Sequence, residues 1–315
     1  MLIIKKKEQN NKYKIFKTNI NLIDEFLDLK EVKEQIKSKN LTYIETLFGE
    51  HKKVGNSLII LKNEINICEK IKCKNIIVPS GLESIIKNPI FYKKYNITIY
   101  PYQYINKIKI DIYLDTLTIF YFKYERKTNV NRLKILRTEI INNIPKFITN
   151  QNEIIIKIRS GDIFINDINK HYSQPPLCFY QKIINENKFE KIYILSNGRE
   201  NPVINELINL YPKIEYIEGS IQEAVSMIIY SYNLVHSISS FQQYLIPFNN
   251  NLENLYVYEL IYYDVSNINF NVHKMEPSIK YKNIMQNKWK NTKEQLNLMI
   301  TEKCLSSNIY SFYKN

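Results

Sequence analysis

The chain has 315 residues and a mass of 37.7 kDa, which is enough for two domains of ordinary size or one large one. Its 44% hydrophobic and 13% aromatic content excludes an intrinsically disordered chain, and its 6 glycines exclude a collagen-like fibre. The formal net charge of +13, from 44 Lys and Arg against 31 Asp and Glu, admits an anionic partner such as a nucleic acid, a membrane surface or a phosphorylated substrate.

The positive charge also has a plain compositional explanation. Lys, Asn, Ile, Tyr and Phe, whose codons are rich in A and T, dominate the sequence, so a biased genome would make almost any of its proteins basic. The cations are spread along the chain, and Lys5-Lys6-Lys7 is the only run of three. The sequence has no paired Cys/His finger and no Arg/Lys-Gly-Phe strand signature, so we expect no nucleic-acid partner.

Localisation is predicted from hydropathy and cysteine usage. No stretch approaches 18 uncharged apolar residues, and the charge of the first seven residues follows a short apolar patch, the reverse of a signal peptide. We therefore expect a cytoplasmic protein with no transmembrane segment. The four cysteines are predicted to be free buried thiols in a reducing compartment, since the scattered histidines do not complete a zinc site; they are Cys68, Cys73, Cys178 and Cys304.

The first half of the chain predicts a mixed α/β domain. Helical spacing covers residues 20–37 and 133–144, and Pro145 ends the second of these helices. Between them lie short apolar runs of strand length, at 57–61, 75–78, 97–100 and 117–122. A polar segment follows Pro145 and predicts a domain boundary, so that the domains are 1–150 and 151–315.

The second half predicts strict alternation of strands and helices. Asn201-Pro202 and Ser220-Ile-Gln-Glu223 are helix starts, an N-cap before proline and a capping box, and Ser239-Ser240 is predicted to cap a third helix. Uniformly apolar strands alternating with helices predict an α/β fold with a doubly wound parallel sheet. The strands are predicted at 154–158, 192–195, 214–217, 233–237 and 255–258, and the helices at 177–185, 202–210, 221–230 and 291–302.

Ligands bind beyond the carboxyl ends of the strands in such a sheet, which singles out three loops. The first carries Arg159 and Asp162 around Gly161, after a strand that includes Lys157. Arginine binds phosphate oxygens through a planar fork, and glycine allows a close approach of the backbone. A salt bridge between Arg159 and Asp162 at an ordinary turn is the alternative interpretation of this loop.

The other two loops each lead from a strand into a helix. One contains Ser196 and Asn197, and the other contains Ser239, Ser240 and Phe241. Hydroxyls and the free amides of helix N-termini suit phosphate or ribose oxygens, although each loop taken alone is better explained by helix capping. Three such loops on one sheet edge favour a nucleotide-phosphate site.

These residues carry a resemblance to a known family. The segment 156–164, Ile-Lys-Ile-Arg-Ser-Gly-Asp-Ile-Phe, resembles the His-x-Arg-x-Gly-Asp motif of the GDP-fucose-dependent fucosyltransferases (α1,2-, α1,6- and protein O-fucosyltransferases). The segment 172–180, Tyr-Ser-Gln-Pro-Pro-Leu-Cys-Phe-Tyr, and the block from Glu223 to Phe241 are similar to later motifs of that family in order and spacing. The resemblance covers about residues 133–258.

The resemblance implies a GT-B fold, made of two Rossmann-like domains with doubly wound parallel sheets, and an inverting, metal-independent transfer of fucose from GDP-fucose. The donor would be held by domain 151–315, with the acceptor on the side of domain 1–150. Arg159 would stabilise the departing GDP, and Asp162 would orient the arginine or its loop. The remaining donor contacts that the resemblance implies are Gly161, Ser196, Asn197, Glu223, Ser239, Ser240 and Phe241.

One position departs from the family motif. Lys157 stands where the family has histidine, and it either adds a second cation for the diphosphate or marks a loss of activity. The catalytic base is not identified by the motif; Asp162, Asp167 and His171 are candidates by proximity in the sequence.

The predicted function is therefore that of a glycosyltransferase acting on a glycan or protein hydroxyl, with no cofactor and no metal beyond the sugar-nucleotide donor. A catalytically inactive relative that binds sugar nucleotides or glycans, an enzyme using another sugar nucleotide, and a basic nucleic-acid-binding protein are the alternatives.

Overall fold

The computed structural model describes residues 4–5, 43–47, 54–78, 80–107, 112–115, 133, 135–165, 169–260, 269–304 and 310–312. The chain divides into two compact units, Met1–Ile144 and Pro145–Asn315. The predicted helix at 20–37 and the predicted strand at 117–122 lie outside the described residues.

The first unit contains a six-stranded sheet in the order β1-β6-β2-β3-β5-β4. Its four inner strands are parallel, and the two edge strands β1 and β4 are antiparallel to their neighbours. Its elements are β1 (Ile4–Lys5), β2 (Tyr43–Leu47), α1 (Val54–Ile71), β3 (Asn75–Ile77), β4 (Ile90–Tyr92), β5 (Ile97–Tyr100), β6 (Ile112–Asp115) and α2 (Arg137–Asn142).

Helix α1 corrects the prediction of a strand at 57–61, which is wrong. Leu58, Ile60 and Leu61 are fully buried, but so are residues all along the 18-residue helix. The helix is buried on nearly every side, its polar residues Lys62, Asn63 and Glu64 included, so the short apolar run at 58–61 is indistinguishable from a buried strand by pattern alone. The predicted strands at 75–78 and 97–100 are confirmed as β3 and β5.

The second unit contains a seven-stranded sheet in the order β13-β12-β11-β10-β7-β8-β9. Six strands are parallel, and only β13 at the edge is antiparallel. Its strands are β7 (Glu153–Lys157), β8 (Lys191–Leu195), β9 (Ile214–Ile217), β10 (Asn233–His236), β11 (Asn254–Tyr258), β12 (Asn271–Met275) and β13 (Tyr310–Phe312). Its helices are α3 (Asp162–Ile165), α4 (Leu177–Glu186), α5 (Pro202–Leu210), α6 (Ile221–Tyr230), α7 (Ser240–Leu245), α8 (Ile279–Met285) and α9 (Lys293–Thr301).

Burial explains why these strands form the centre of the unit. All four residues of β10 and the last four of β7, β8 and β11 are buried, so helices cover both faces of the sheet, as parallel sheets require. The prediction of a parallel α/β sheet in this half is confirmed. The capping box of Ser220 and Glu223 and the N-cap of Asn201 are also present as predicted.

The prediction of free thiols is wrong. Cys68 is bonded to Cys73 and Cys178 to Cys304, with Cα–Cα distances of 4.8 and 5.5 Å. The second pair is separated by 126 residues in sequence, so only the tertiary fold brings it together. The argument from free thiols to a reducing compartment therefore fails. Within the described ranges, no helix combines the length and the apolar character needed to cross a bilayer.

Candidate functional site

The strand order places a crevice at the carboxyl ends of β7 and β10. The chain runs from β7 outward through β8 to β9, and then crosses back to place β10 on the other side of β7. Connections diverge at such a switch point, which leaves the crevice where open α/β sheets bind ligands. Three segments border it: the arginine loop (159–162) after β7, the β8 loop (196–201) and the β10 loop (237–239).

The guanidinium of Arg159 lies at this crevice and contacts the β10 loop. Its guanidinium donates to the carbonyl of Ile238 and to the carboxylate of Asp162, both at 3.4 Å. Tyr172 stacks on it, with the guanidinium carbon 4.1 Å from the ring centroid. Both polar contacts are at the long end of hydrogen-bond range, while the ring fixes the guanidinium in place. Arg159 is thus positioned but weakly engaged, and a bidentate oxyanion would displace these contacts at little cost.

Lys157 adds a second cation beneath Arg159. The side chain is buried, with 7% of the residue exposed, and its ammonium donates to the carbonyl of Ile158 at 3.2 Å. Among the described residues no carboxylate lies within salt-bridge distance of it. Burial lowers the pKa of the Lys157 amine from 10.5 to about 8; the Arg159 charge also lowers it, and Asp162 opposes the shift. The amine is therefore mainly protonated at neutral pH.

His236 does not add to this charge. It ends β10, one position beyond Val235, which pairs with Ile156 of β7, so it lies beside Lys157 in the sheet. The ring is buried, and burial lowers the pKa of the imidazole to about 3. His236 is therefore neutral at physiological pH, and Lys157 and Arg159 supply the positive charge at this point of the crevice.

The arginine loop is fixed against the β8 loop. Glu200 accepts hydrogen bonds from the Ser160 hydroxyl (2.8 Å) and the Gly161 amide (2.9 Å). These hydrogen bonds, together with one from the Glu200 backbone, lower the pKa of the Glu200 carboxyl. Asn201 donates to the Arg159 carbonyl at 3.1 Å while its oxygen caps α5 through the Val203 amide. The arginine therefore rests on a loop whose conformation is set by the neighbouring loop.

Gly161 is required at this contact. Its φ is +68°, in the left-handed region, and a Cβ there would lie 2.9 Å from both the side-chain nitrogen Nδ2 and the backbone oxygen of Asn197. This places Gly161 against Asn197 of the β8 loop, two of the predicted site residues.

The β10 loop is organised by Gln242 of α7. The buried Gln242 side chain accepts from the Ser237 amide at 2.9 Å and donates to the Val235 carbonyl at 2.8 Å. It thus holds the turn between β10 and α7. The predicted residues Ser239, Ser240 and Phe241 follow it at the border of the crevice, each partly exposed. Ser239 occupies the N-cap position of α7, but its side chain makes no capping hydrogen bond.

Ser196 and Glu223 are placed differently from the crevice residues. Leu195 pairs with Lys157, so alternation puts Ser196 on the opposite sheet face; it is buried, and its hydroxyl has no hydrogen-bond partner in the described part of the chain. Glu223 is exposed after β9, and its carboxylate accepts from the Ser220 amide at 2.7 Å in the capping box. That bond and the Ser220 hydroxyl lower the pKa of the Glu223 carboxyl.

The candidate bases also separate. Asp162 pairs with Arg159, and Asp167 lies outside the described residues. His171 is exposed, with its Nδ1 2.8 Å from the side-chain oxygen of Asn287. In the ranges the structure describes, no three His, Cys, Asp or Glu side chains converge as a metal site would need.

Sequence reasoning missed three residues that shape this site. Tyr172 stacks on Arg159, Glu200 clamps the arginine loop and Gln242 folds back on β10. Tyr172 begins the segment that resembles a family motif, so that signal was present. A single glutamate in a loop and a glutamine inside a helix carry no signal in one sequence, because each acts through a contact distant along the chain.

Comparison with known proteins gives one distant likeness. No protein-family model matches the chain, and a search of curated proteins finds no match. Among solved structures, the chain is similar to NodZ alpha-1,6-fucosyltransferase co-crystallized with GDP, with 7% sequence identity and a TM-score of 0.36 over 75% of this chain and 96% of that chain. Since a TM-score this low does not establish a common fold, the proposals below rest on the site's own geometry and on the motifs.

Proposed function

We propose that the protein is a glycosyltransferase that transfers fucose from GDP-fucose to a hydroxyl of a glycan or protein, with inversion and without a metal ion. The observation that carries the proposal is the pair of cations at the switch point. Lys157 is buried with no carboxylate against it in the described residues, next to an Arg159 held by an aromatic ring. Burying this cation is costly, and a diphosphate would supply negative charge beside it.

The motifs narrow this anion to a sugar nucleotide. The Arg-x-Gly-Asp segment, the Pro-Pro segment after Tyr172 and the Ser-x-Ser-Ser-Phe segment resemble three motifs of the GDP-fucose-dependent family in order and spacing. The family's GT-B arrangement, with the acceptor on the side of the first unit, is part of the proposal.

Chemically, the two cations would act on the leaving group. As the bond between the sugar's anomeric carbon and the phosphate oxygen breaks, negative charge grows on the diphosphate, and fixed cations nearby stabilise it more than they stabilise the intact donor. Arg159 and Lys157 would take the role that a divalent ion has in metal-dependent transferases.

Calorimetric titration of GDP, with UDP and ADP as comparisons, tests the proposal. We expect GDP to bind selectively and Arg159→Ala to weaken it by about 1–3 kcal/mol, the scale of a lost charge-assisted contact. Arg137→Ala, in helix α2 of the first unit, is the matched control and should leave GDP binding unchanged. Equal binding of GDP by wild type and Arg159→Ala would refute the donor site.

Release of GDP from GDP-fucose then separates an enzyme from an inactive relative. Turnover by the wild type supports the transferase. Selective GDP binding without turnover would leave a sugar-nucleotide-binding protein in which the replacement of histidine by Lys157 has abolished catalysis.

A further inference from the structure

The segment that follows the arginine loop is held by the C-terminal part of the chain. We call residues 163–165 and 169–174 the strap, because they lead from the arginine loop to α4. Residues between α8 and α9 bond its backbone at several points: Trp289 to the carbonyls of Ile163 (3.1 Å) and Lys170 (3.2 Å), and Asn291 to that of Phe164 (2.6 Å).

Two further hydrogen bonds join the strap to α8 itself. The Tyr281 hydroxyl donates to the Gln174 carbonyl at 2.7 Å, and the Ser173 hydroxyl donates to the Met285 carbonyl. The strap is thus held by hydrogen bonds from this part of the chain in both of its described pieces.

His171 is the residue of the strap whose side chain is both fixed and exposed. Its Nδ1 lies 2.8 Å from Oδ1 of Asn287, and its backbone amide donates to Oδ1 of Asn169 at 3.0 Å. An amide oxygen only accepts hydrogen bonds, so Nδ1 carries the proton and Nε2 carries the lone pair. Nε2 makes no hydrogen bond within the described residues. The imidazole is therefore oriented with its basic nitrogen free.

The backbone of Asn287 also suits it as the fixed hydrogen-bond partner of His171. Its φ is +57°, the left-handed conformation that asparagine adopts more readily than other residues with a side chain. It sits in the turn after α8, between Met285 and Trp289, which both bond the strap. The partner of the imidazole is thus itself fixed.

His171 is joined in the chain to the residue that stacks on Arg159. Tyr172 stacks on the guanidinium at 4.1 Å, so His171 is one residue away from the side chain that contacts the proposed diphosphate site. An acceptor hydroxyl attacking the anomeric carbon lies a few ångströms beyond the diphosphate. Such a hydroxyl needs a base within hydrogen-bond reach.

We infer that His171 is the general base of the transfer and that Asn287 is its positioning residue, an inference that rests on the proposed function. In the step, the acceptor oxygen forms a bond to the anomeric carbon while its proton passes to Nε2 of His171. The bond between the anomeric carbon and the phosphate oxygen breaks, and its electron pair leaves with GDP, whose charge Arg159 and Lys157 balance. The imidazolium then returns the proton to solvent.

The test measures GDP binding and GDP release from GDP-fucose, with water as the acceptor, in four variants. His171→Gln should bind GDP with an affinity within about twofold of wild type. Its rate of GDP formation from GDP-fucose should be at least about 100-fold lower, the usual contribution of a general base. His273→Gln, a histidine of β12 bonded to Asn254, is the matched control and should match the wild type.

Asn287 provides the second pair of variants. Asn287→Ala should lower the rate about tenfold while GDP binding stays within about twofold of wild type, whereas Asn287→Asp, which still accepts from Nδ1, should restore the rate. A purely structural role would move GDP binding and rate together in His171→Gln and Asn287→Ala and would overturn the inference, as would a His171→Gln rate within threefold of wild type.

Failure of the proposed function would look different. If the wild type binds no GDP, the donor site itself is wrong. If the wild type binds GDP but releases none from GDP-fucose, the donor site stands and the assignment of His171 as a base is overturned.

Discussion

Lys157 and Arg159 carry like charges close together, and this arrangement makes the folded protein less stable. The buried amine of Lys157 is desolvated, and the Arg159 guanidinium repels it. Native proteins keep such arrangements mainly where a ligand uses them. Arg159 differs from Lys157 in its stacking on Tyr172, which partly offsets its own burial. The unfavourable electrostatics therefore concentrate in Lys157.

Replacing this amine should stabilise the protein and weaken the ligand. The pKa of Lys157 falls from 10.5 in the unfolded chain to about 8 in the fold, so below about pH 8 burying the protonated amine costs about 3 kcal/mol. This cost disappears as the pH rises from about 8 to 10.5, because the unfolded chain then loses the proton as well. We expect Lys157→Met to raise the unfolding free energy at pH 7 by up to that amount, as measured by urea denaturation.

The same variant should bind GDP at least about tenfold less tightly, since the diphosphate loses a desolvated cation. GDP affinity of the wild type should fall as the pH rises from 7 to 9 and Lys157 loses its proton, whereas the variant should show no such fall. A variant that is destabilised at pH 7, or that keeps wild-type GDP affinity, would contradict a ligand role for Lys157.

At the scale of elements, the site consists of two loops that hold each other in place by hydrogen bonds and packing. The arginine loop bonds Glu200 and Asn201, and Gly161 packs on the backbone of Asn197. Parallel strands β7 and β8 bring both loops to the same sheet edge, so each provides partners for the other's free amides. The conformation that presents Arg159 therefore depends on the contact between the loops.

Gly161→Ala should disrupt this contact. The left-handed φ of +68° costs an alanine about 1–2 kcal/mol, and its Cβ would meet the Asn197 backbone oxygen at 2.9 Å. Because backbone cannot move aside cheaply, we expect both a loss of stability of that size and GDP binding weaker by about tenfold. Unchanged GDP affinity in Gly161→Ala would show that the loop contact does not position Arg159.

The same loops show which features of the structure can be predicted from the sequence alone. Alternating apolar strands and capped helices predict β7 to β11 with their connections, because periodicity and capping are local properties. Contacts between distant residues are not local: Tyr172 on Arg159, Gln242 on Val235 and Asn287 on His171 depend on the fold. Helix α1 was missed for a different reason, since a short apolar run in a helix buried on nearly all sides is indistinguishable from a buried strand by pattern.

At the scale of the whole molecule, the last part of the chain returns to the site. After β12, helices α8 and α9 pack on the core of the second unit, where Trp289 is 1% exposed and contacts Phe164 of α3 at 5.2 Å between ring centroids. The disulfide between Cys178 of α4 and Cys304, which follows α9, closes this part of the chain. The region that holds the strap is thus linked covalently to the helix at which the strap ends.

This link should contribute strongly to the stability of the second unit. In the chain-entropy model a disulfide stabilises the fold by restricting the unfolded chain, and more so for a longer loop. The 126-residue separation of Cys178 and Cys304 gives about 5 kcal/mol of stabilisation, and the 5-residue separation of Cys68 and Cys73 gives about 2 kcal/mol. Trp289 is the chain's single tryptophan, so its fluorescence reports unfolding of the second unit. In urea, Cys178→Ser with Cys304→Ser should shift the Trp289 transition to much lower denaturant. Cys68→Ser with Cys73→Ser, in the first unit, should leave it in place. Titration of four free thiols in the native, unreduced protein would contradict both disulfides. An unshifted Trp289 transition in Cys178→Ser with Cys304→Ser would show that the stability of the second unit does not depend on the Cys178–Cys304 bond.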